Sequence, residues 1–455
     1  RDGLVTGVQT CALPISPPAP PMDKAALHNA ASGPPMAILA GICAMLTQGL
    51  YFKVLGAAEY GLWLLPATFL HLLQLTNNGL SAIIVQQASA PQVRTRETNA
   101  YESLVSTSFW LTLIAAAFLS LPVGIGLYLL ISSSGMSNED AQRSIRMIPL
   151  AAIVSILFLT NETIAAHLEA QHLLRKVRLT QLITAVSMMT LSALLLWFDF
   201  SLWSVPIAHM LSILVGLAVN MQYMKTHLPP LHFGTRVDWK LAMTLVRGAS
   251  HISLASIFGM LLLPTLKFIL VRTSGLTSVS YFEVCYALAF RVKHVADTAV
   301  RACLSYFCAQ DLSTDQMQKQ AKKVLAQIST LTAVVVLPSY AVCIWISKPV
   351  LQIWLGQRPA LEASSTLQLL FLASSVAAMG TPYYYYLVSR NHISEIVKAN
   401  AFGAGTTLSC LALVWVIEQG AFAHAEASLI TLISVAVTSS MLVKATLLHR
   451  EQVAS

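Results

Sequence analysis

Apolar residues in this chain come in long unbroken blocks, not at the intervals of a half-buried helix or strand. The blocks cover residues 36–55, 61–86, 104–132, 147–168, 179–197, 201–224, 248–271, 281–308, 324–347, 365–388, 395–417 and 421–447. Each is close to the roughly 20 residues that a helix needs to cross a hydrocarbon layer. Strands are excluded as spans, because an open sheet edge leaves backbone groups without partners in lipid. Twelve transmembrane helices are therefore predicted. The longest connection, residues 225–247, falls between the sixth and seventh blocks. It divides the chain into a first six-helix half (34–224) and a second (248–447), with 225–247 as linker.

The first 21 residues are set apart. Residues 1–16, RDGLVTGVQTCALPIS, resemble translated sequencing-adapter read-through, and a Pro-rich stretch from Pro17 to Pro21 follows. Met22 or Met36 is the expected start, and the preceding segment is left out of fold reasoning. The first apolar block is of span length and lacks an Ala-x-Ala site, so an uncleaved first helix is expected.

Composition sharpens this picture. Of 455 residues, 56% are apolar and only 11% charged, against about 25% charged in soluble domains. Mean hydropathy is +0.66. A disordered chain, a disulfide scaffold and almost any soluble enzyme are excluded. Cys43, Cys285, Cys303, Cys308, Cys343 and Cys410 lie in apolar stretches without Cys-x-x-Cys spacing, which is how small packed hydrophobes behave. The net charge of +8 is spread over short loops, so no nucleic-acid partner is implied. With the N-terminus placed inside, 17 basic residues fall on the cytoplasmic side and 6 on the outer side. That bias predicts both termini in the cytoplasm. Trp63, Trp203, Trp345 and Trp354 are expected at the outer interface, and the run Tyr383 to Tyr386 at the inner one. Such a tyrosine run is also suited to stacking sugars.

The eighth block spends polarity where it is costly. It holds Glu283, Arg291, Lys293, His294, Asp297 and Arg301. One charge at mid-bilayer costs about 2.5–3.5 kcal/mol even on the lenient insertion scale. At 100° per residue, His294, Asp297 and Arg301 fall within about 40° of Glu283, with Arg291 and Lys293 flanking at about 80° on either side. Such a face predicts a helix lining a hydrated cavity between bundles. Asp297 sits four residues from both Lys293 and Arg301, so it can pair with either. Positive charge is left over, and Lys267 on the seventh block adds to it. Arg291, Lys293, Arg301 and Lys267 are thus candidate ligands for an anionic group, Arg as a bidentate fork and Lys as a point charge. Two bland readings stand beside this: a self-neutralising network that fixes helix packing, and snorkelling of Lys267 and Arg301 to the interfaces. Asp297, His294 and Glu283 are candidates for ion coupling or a polar lining. Glu162 on the fourth block joins them as an intramembrane carboxylate, with His167 nearby, and a polar clamp between helices is the alternative for both. On the second block His71, Gln74, Asn77, Asn78 and Ser81 share an arc of about 120°, facing either a neighbouring helix or the cavity.

Signatures of catalysis are missing from the sequence. It has no G-x-x-x-x-G-K-[ST] loop, no H-E-x-x-H and no nucleophile elbow. No enzyme activity, cofactor or metal is expected. The halves show a faint repeat: Phe52-Lys53-Val54-Leu55-Gly56 then Tyr60 in the first, Lys267-Phe268-Ile269-Leu270 then Gly275 and Tyr281 in the second. Repeated halves are common in transporters.

Three segments carry a family resemblance. Leu55-Gly56-Ala57-Ala58-Glu59-Tyr60-Gly61-Leu62-Trp63 is similar to the LG-x-x-EYG signature of bacterial polysaccharide flippases. The stretch from Gln74 to Ser81 resembles their D-x-G-L segment, with Asn77 where Asp is frequent. Ile353-Trp354-Leu355-Gly356 resembles the element after their ninth helix. The chain thus resembles, over residues 34–447, the multidrug/oligosaccharidyl-lipid/polysaccharide (MOP) exporter superfamily, in its O-antigen or capsule repeat-unit flippase branch. The resemblance implies two six-helix lobes around a central cavity, working by alternating access in the bacterial cytoplasmic membrane. It implies an undecaprenyl-diphosphate-linked oligosaccharide as passenger, membrane lipids around it, and polysaccharide polymerase and chain-length proteins as partners. Rival expectations are a drug or metabolite exporter of the same superfamily and a membrane-embedded polysaccharide polymerase or ligase. The lipid II flippase branch, with fourteen helices, fits the count of twelve less well.

Overall fold

A computed structural model of the chain describes residues 24–88, 98–171, 173–227, 237–301, 315–390, 392–417 and 422–452. These form α1 (Lys24–Leu55), α2 (Ala57–Ala88), α3 (Thr98–Ser132), α4 (Asn138–Ile145), α5 (Ile148–Ala170), α6 (Leu174–Trp197), α7 (Ser204–His227), α8 (Trp239–Arg301), α9 (Asp315–Leu355), α10 (Gln357–Glu362), α11 (Ser364–Ser389), α12 (Ile393–Ile417) and α13 (His424–Gln452). No strand occurs among the described residues.

The twelve apolar blocks are helical wherever they are described. Blocks seven and eight share α8, whose two limbs meet at Gly275 (φ 77, ψ −178). Among the described residues, eight helical stretches are long and apolar enough to cross a membrane on length and composition alone. The other four rods are α2, the two limbs of α8, and α11. They lie at the centre of the molecule and carry its inward polar residues. Large apolar side chains on the periphery face outward instead, such as Phe118 (73% exposed) on α3 and Trp345 (82%) on α9. Lipid chains can solvate such a surface and water cannot.

The helices α1 to α7 pack on one another, and so do α8 to α13, giving two bundles whose seam is α2 against α8. Small residues let these helices approach closely. A Cβ at Gly61 would meet Leu276 O at 2.7 Å, and Gly79 has no room beside Ala249 and Ser253. Since α2 touches α8 at both places, it runs antiparallel to the first limb along the seam. The expected linker is shorter than 225–247: α7 continues to His227 and α8 begins at Trp239. Asp238 caps α8, its Oδ1 accepting from Lys240 N (3.0 Å) and Leu241 N (3.2 Å), so the helix starts before its apolar block.

The LG-x-x-EYG segment forms a compact corner between α1 and α2. Gly56 adopts φ 85, a region that only glycine enters cheaply, so one residue reverses the chain. Arg143 of α4 donates to both carboxylate oxygens of Glu59, at 2.8 and 2.7 Å. That hydrogen-bonded pairing raises the Arg143 guanidinium above its usual range. Tyr60 stacks on Tyr51 at 5.9 Å, and Phe52 reaches across the seam to stack on Tyr281 at 5.7 Å. Gly275 and Gly356 (φ 103) make similar breaks at the same end of the molecule. Trp63 (4% exposed) is core rather than interfacial. Trp354 packs on Gly49, its Nε1 donating to Met45 O at 3.0 Å. Trp354 thus sits where the bundles meet, and Trp63 within the core, which removes both from the lipid boundary. This is called the Gly56 end below, and the opposite one the Arg390 end.

Candidate functional site

The polar residues expected on one face of the eighth block separate into three groups. A helix position about 80° off the centre of a face points at a different neighbour, and α8 has neighbours all round.

Toward the Gly56 end, Lys267 and Glu283 stand on the two limbs of α8 and form an ion pair at 2.9 Å, with side chains 1% and 10% exposed. His71 of α2 is their electrostatic neighbour from the other bundle. Lys267 therefore neither snorkels to an interface nor offers spare charge. A charge is retained in an apolar core when its partner is buried with it.

The second group lies on the side of α8 facing the first bundle. Arg291 Nη1 donates to Gly41 O of α1 at 3.3 Å. Exposed His294 has Asp297, Lys293, Arg178 of α6 and Arg291 as electrostatic neighbours, the first two the stronger, and Arg178 also neighbours Glu162 of α5. Arg178 Nη1 donates to Gln181 Oε1 at 2.8 Å, while its Nε is buried with no hydrogen-bond partner among the described residues. Neither arginine is ion-paired among the described residues. Arg178 is one of the 17 basic residues that the sequence puts on the cytoplasmic side. Its proximity to His294 comes from packing and has no signal in the sequence. His167 serves as a clamp, its Nε2 2.8 Å from Ser108 Oγ of α3.

The third group faces away from the seam, into a cavity of about 360 Å³ inside the second bundle. Lys293 pairs with Asp297 at 2.5 Å, and Thr381 Oγ1 of α11 donates to Asp297 Oδ1 at 2.7 Å. Tyr384 and Tyr385 line the same cavity, whereas Tyr386 lies under Arg390, 5.4 Å from its guanidinium carbon. Half of the tyrosine run thus leaves the expected interfacial belt for an interior wall. Three successive helical residues cannot all face lipid.

The surplus positive charge expected inside is accordingly smaller and differently placed. Lys267 and Lys293 are each cancelled by a carboxylate, and Arg291 and Arg178 remain. Arg301 ends α8 and its side chain lies outside the described ones, as do those of Gln74 and Asn78 on α2.

Two bundles meeting along a seam, with charged residues on the central helices, match solved membrane transporters. A multidrug resistance MATE family transporter of the MOP superfamily, inward-facing, superposes with TM-score 0.69 at 13% identity, over 93% of this chain and 99% of that one. The lipid II flippase MurJ, inward closed, gives 0.67 at 12%, over 90% and 86%. An outward-facing MATE family transporter gives 0.63 at 12%, over 96% and 99%. No curated protein matches the sequence. The family model described as polysaccharide biosynthesis protein matches residues 53–359. With that match spanning more than half its length, this membrane chain of MOP-superfamily fold belongs to the polysaccharide biosynthesis protein family.

Proposed function

We propose that the protein is a flippase. It turns an undecaprenyl-diphosphate-linked oligosaccharide, the repeat unit of an O-antigen, capsule or exopolysaccharide, from the cytoplasmic to the outer leaflet of the bacterial cytoplasmic membrane. The Arg390 end and both termini face the cytoplasm in this reading. The observation that carries it is that Arg178 and Arg291, one from each bundle, both act electrostatically on His294, and neither is in an ion pair among the described residues. A diphosphate is anionic, and two guanidinium forks from opposite sides suit its oxygens. The prenyl tail stays in lipid while the headgroup crosses between the bundles, which alternately part at each end. Family membership supports the polysaccharide side of this reading.

A membrane-embedded polymerase or ligase needs a structured region outside the bilayer to hold its acceptor. At the Gly56 end the described connections are single-residue corners, short turns, and the short helices α4 and α10.

The test replaces Arg178 and Arg291 by Ala in a strain whose surface glycan depends on this protein. Each charge-assisted hydrogen bond is worth about 1.5–3 kcal/mol. Surface glycan should fall about tenfold or more for each variant, with lipid-linked precursor accumulating and protein level unchanged. Arg291→Lys should recover only part, since a point charge cannot fork. Normal surface glycan in the double variant overturns the diphosphate site. Drug sensitivity of the deletion strain alongside normal glycan selects the exporter instead.

A further inference from the structure

The cavity inside the second bundle has a wall of hydroxyls whose protons are already committed. Thr431 donates to Ala427 O (2.8 Å), Ser434 to Gly403 O (2.9 Å), Thr438 to Ser434 O (3.0 Å) and Ser439 to Val376 O (3.3 Å). All four side chains line the cavity. A hydroxyl has one proton to give and two lone pairs, so with the proton spent each offers acceptors alone. Asp297 adds a carboxylate whose two oxygens are engaged by Lys293 and Thr381, with lone pairs to spare. Asn400 adds an amide, and the remaining lining is aliphatic and aromatic. Tyr286 and Phe290 stack at 4.2 Å, and Tyr384 meets Tyr385 edge to face at 5.4 Å.

These surfaces together restrict the occupant. It must bring several hydrogen-bond donors to the acceptor wall and an apolar face to the rings. Its charge must be near zero, because Lys293 and Asp297 cancel each other. A purely apolar guest would leave the spare lone pairs of the wall unused. A metal cation would have to displace Lys293 from the carboxylate. A neutral sugar ring meets every condition, with hydroxyl donors around its rim and a C–H face. The volume of about 360 Å³ is at the small end of the roughly 300–1,000 Å³ range of ligand sites, which limits the guest to a small part of an oligosaccharide.

We propose that this cavity is a subsite for a neutral hexopyranose unit of the passenger's glycan, held against Tyr384 and Tyr385 and donating to Ser434, Thr438 and Asp297. The proposal rests on the flippase reading. It places the sugar on one side of the second limb of α8 while Arg291 and His294 take the diphosphate on the other. The glycan is then recognised apart from the phosphate.

The experiment uses the full chain in lipid nanodiscs. The probes are undecaprenyl diphosphate, bare or carrying one glucose, galactose or N-acetylglucosamine. At least one glycosylated carrier should bind about tenfold more tightly than the bare one, the worth of one or two neutral hydrogen bonds. Thr438→Val, which keeps the shape and removes the acceptors, and Tyr385→Leu should each erase that advantage. The Kd of the bare carrier should stay unchanged in both, which also reports an intact fold. Equal binding of bare and glycosylated carriers, or an advantage that survives both substitutions, overturns the subsite and leaves the flippase reading standing. Failure of every carrier to bind removes both.

Discussion

At the scale of single residues, the chain pairs two of its interior lysines with carboxylates. Lys267 and Glu283 cancel each other in a site with almost no exposure. Removing one member of such a pair leaves a bare buried charge and costs about 3–5 kcal/mol, whereas replacing both with apolar groups is often neutral. Lys267→Met and Glu283→Leu should therefore each lower the apparent melting temperature of the detergent-solubilised protein sharply, and the double variant should restore most of it. A double variant as unstable as either single one would assign the pair some other role. Lys293 and Asp297 were legible in advance, because four residues on a helix bring side chains together. Lys267 and Glu283 were not, since their meeting depends on how sharply α8 folds back at Gly275. The charge of Arg178 was equally visible, but its influence on His294 depends on how the two bundles are set together.

At the scale of elements, long apolar blocks reveal helices well and their ends poorly. A block marks the part of a helix that faces hydrocarbon, and the helix itself can run on. α9 starts at Asp315 although its apolar block begins near residue 324. α4 has no apolar run to announce it, its eight residues opening with Asn138, Glu139 and Asp140. Its signal was the cap, with Asp140 N donating to Ser137 Oγ at 3.1 Å. The glycine corners were legible as glycines in motifs, but their geometry was not. Gly275 combines φ 77 with ψ −178, a conformation that is nearly glycine-only and costs about 1–3 kcal/mol for other residues. Gly275→Ala should accordingly destabilise the protein, as read by thermal melting. Gly405→Ala in α12, where an added Cβ meets nothing, should be neutral or slightly stabilising. Equal effects at the two positions would mean that Gly275 is not constrained by its backbone.

At the scale of the whole molecule, the two bundles are joined at the Gly56 end. Ser280 Oγ donates to Ala57 O at 2.6 Å across the seam, and Gly61 lies under Leu276. The proposed alternating access requires this joint to open. Gly61→Val should wedge it, so that a cysteine placed at buried Ser280, with the native cysteines replaced, reacts faster with a membrane-impermeant maleimide. Unchanged labelling would show that the close approach at Gly61 does not hold the bundles together. The corners bear on how such a joint would work. A loop of several residues between two helices is a slack coupling, in which one helix can tilt while the other stays still. The single glycine between α1 and α2 leaves no length to absorb a displacement, and neither does the one between the limbs of α8. Tilt of α1 is delivered whole to α2, α2 bears on α8, and α8 passes the motion through Gly275 to its second limb. In the flippase reading α1, α2 and the two limbs of α8 then form a linkage with little backlash, so that a small push on Arg291 would be felt as rotation at the Gly56 end.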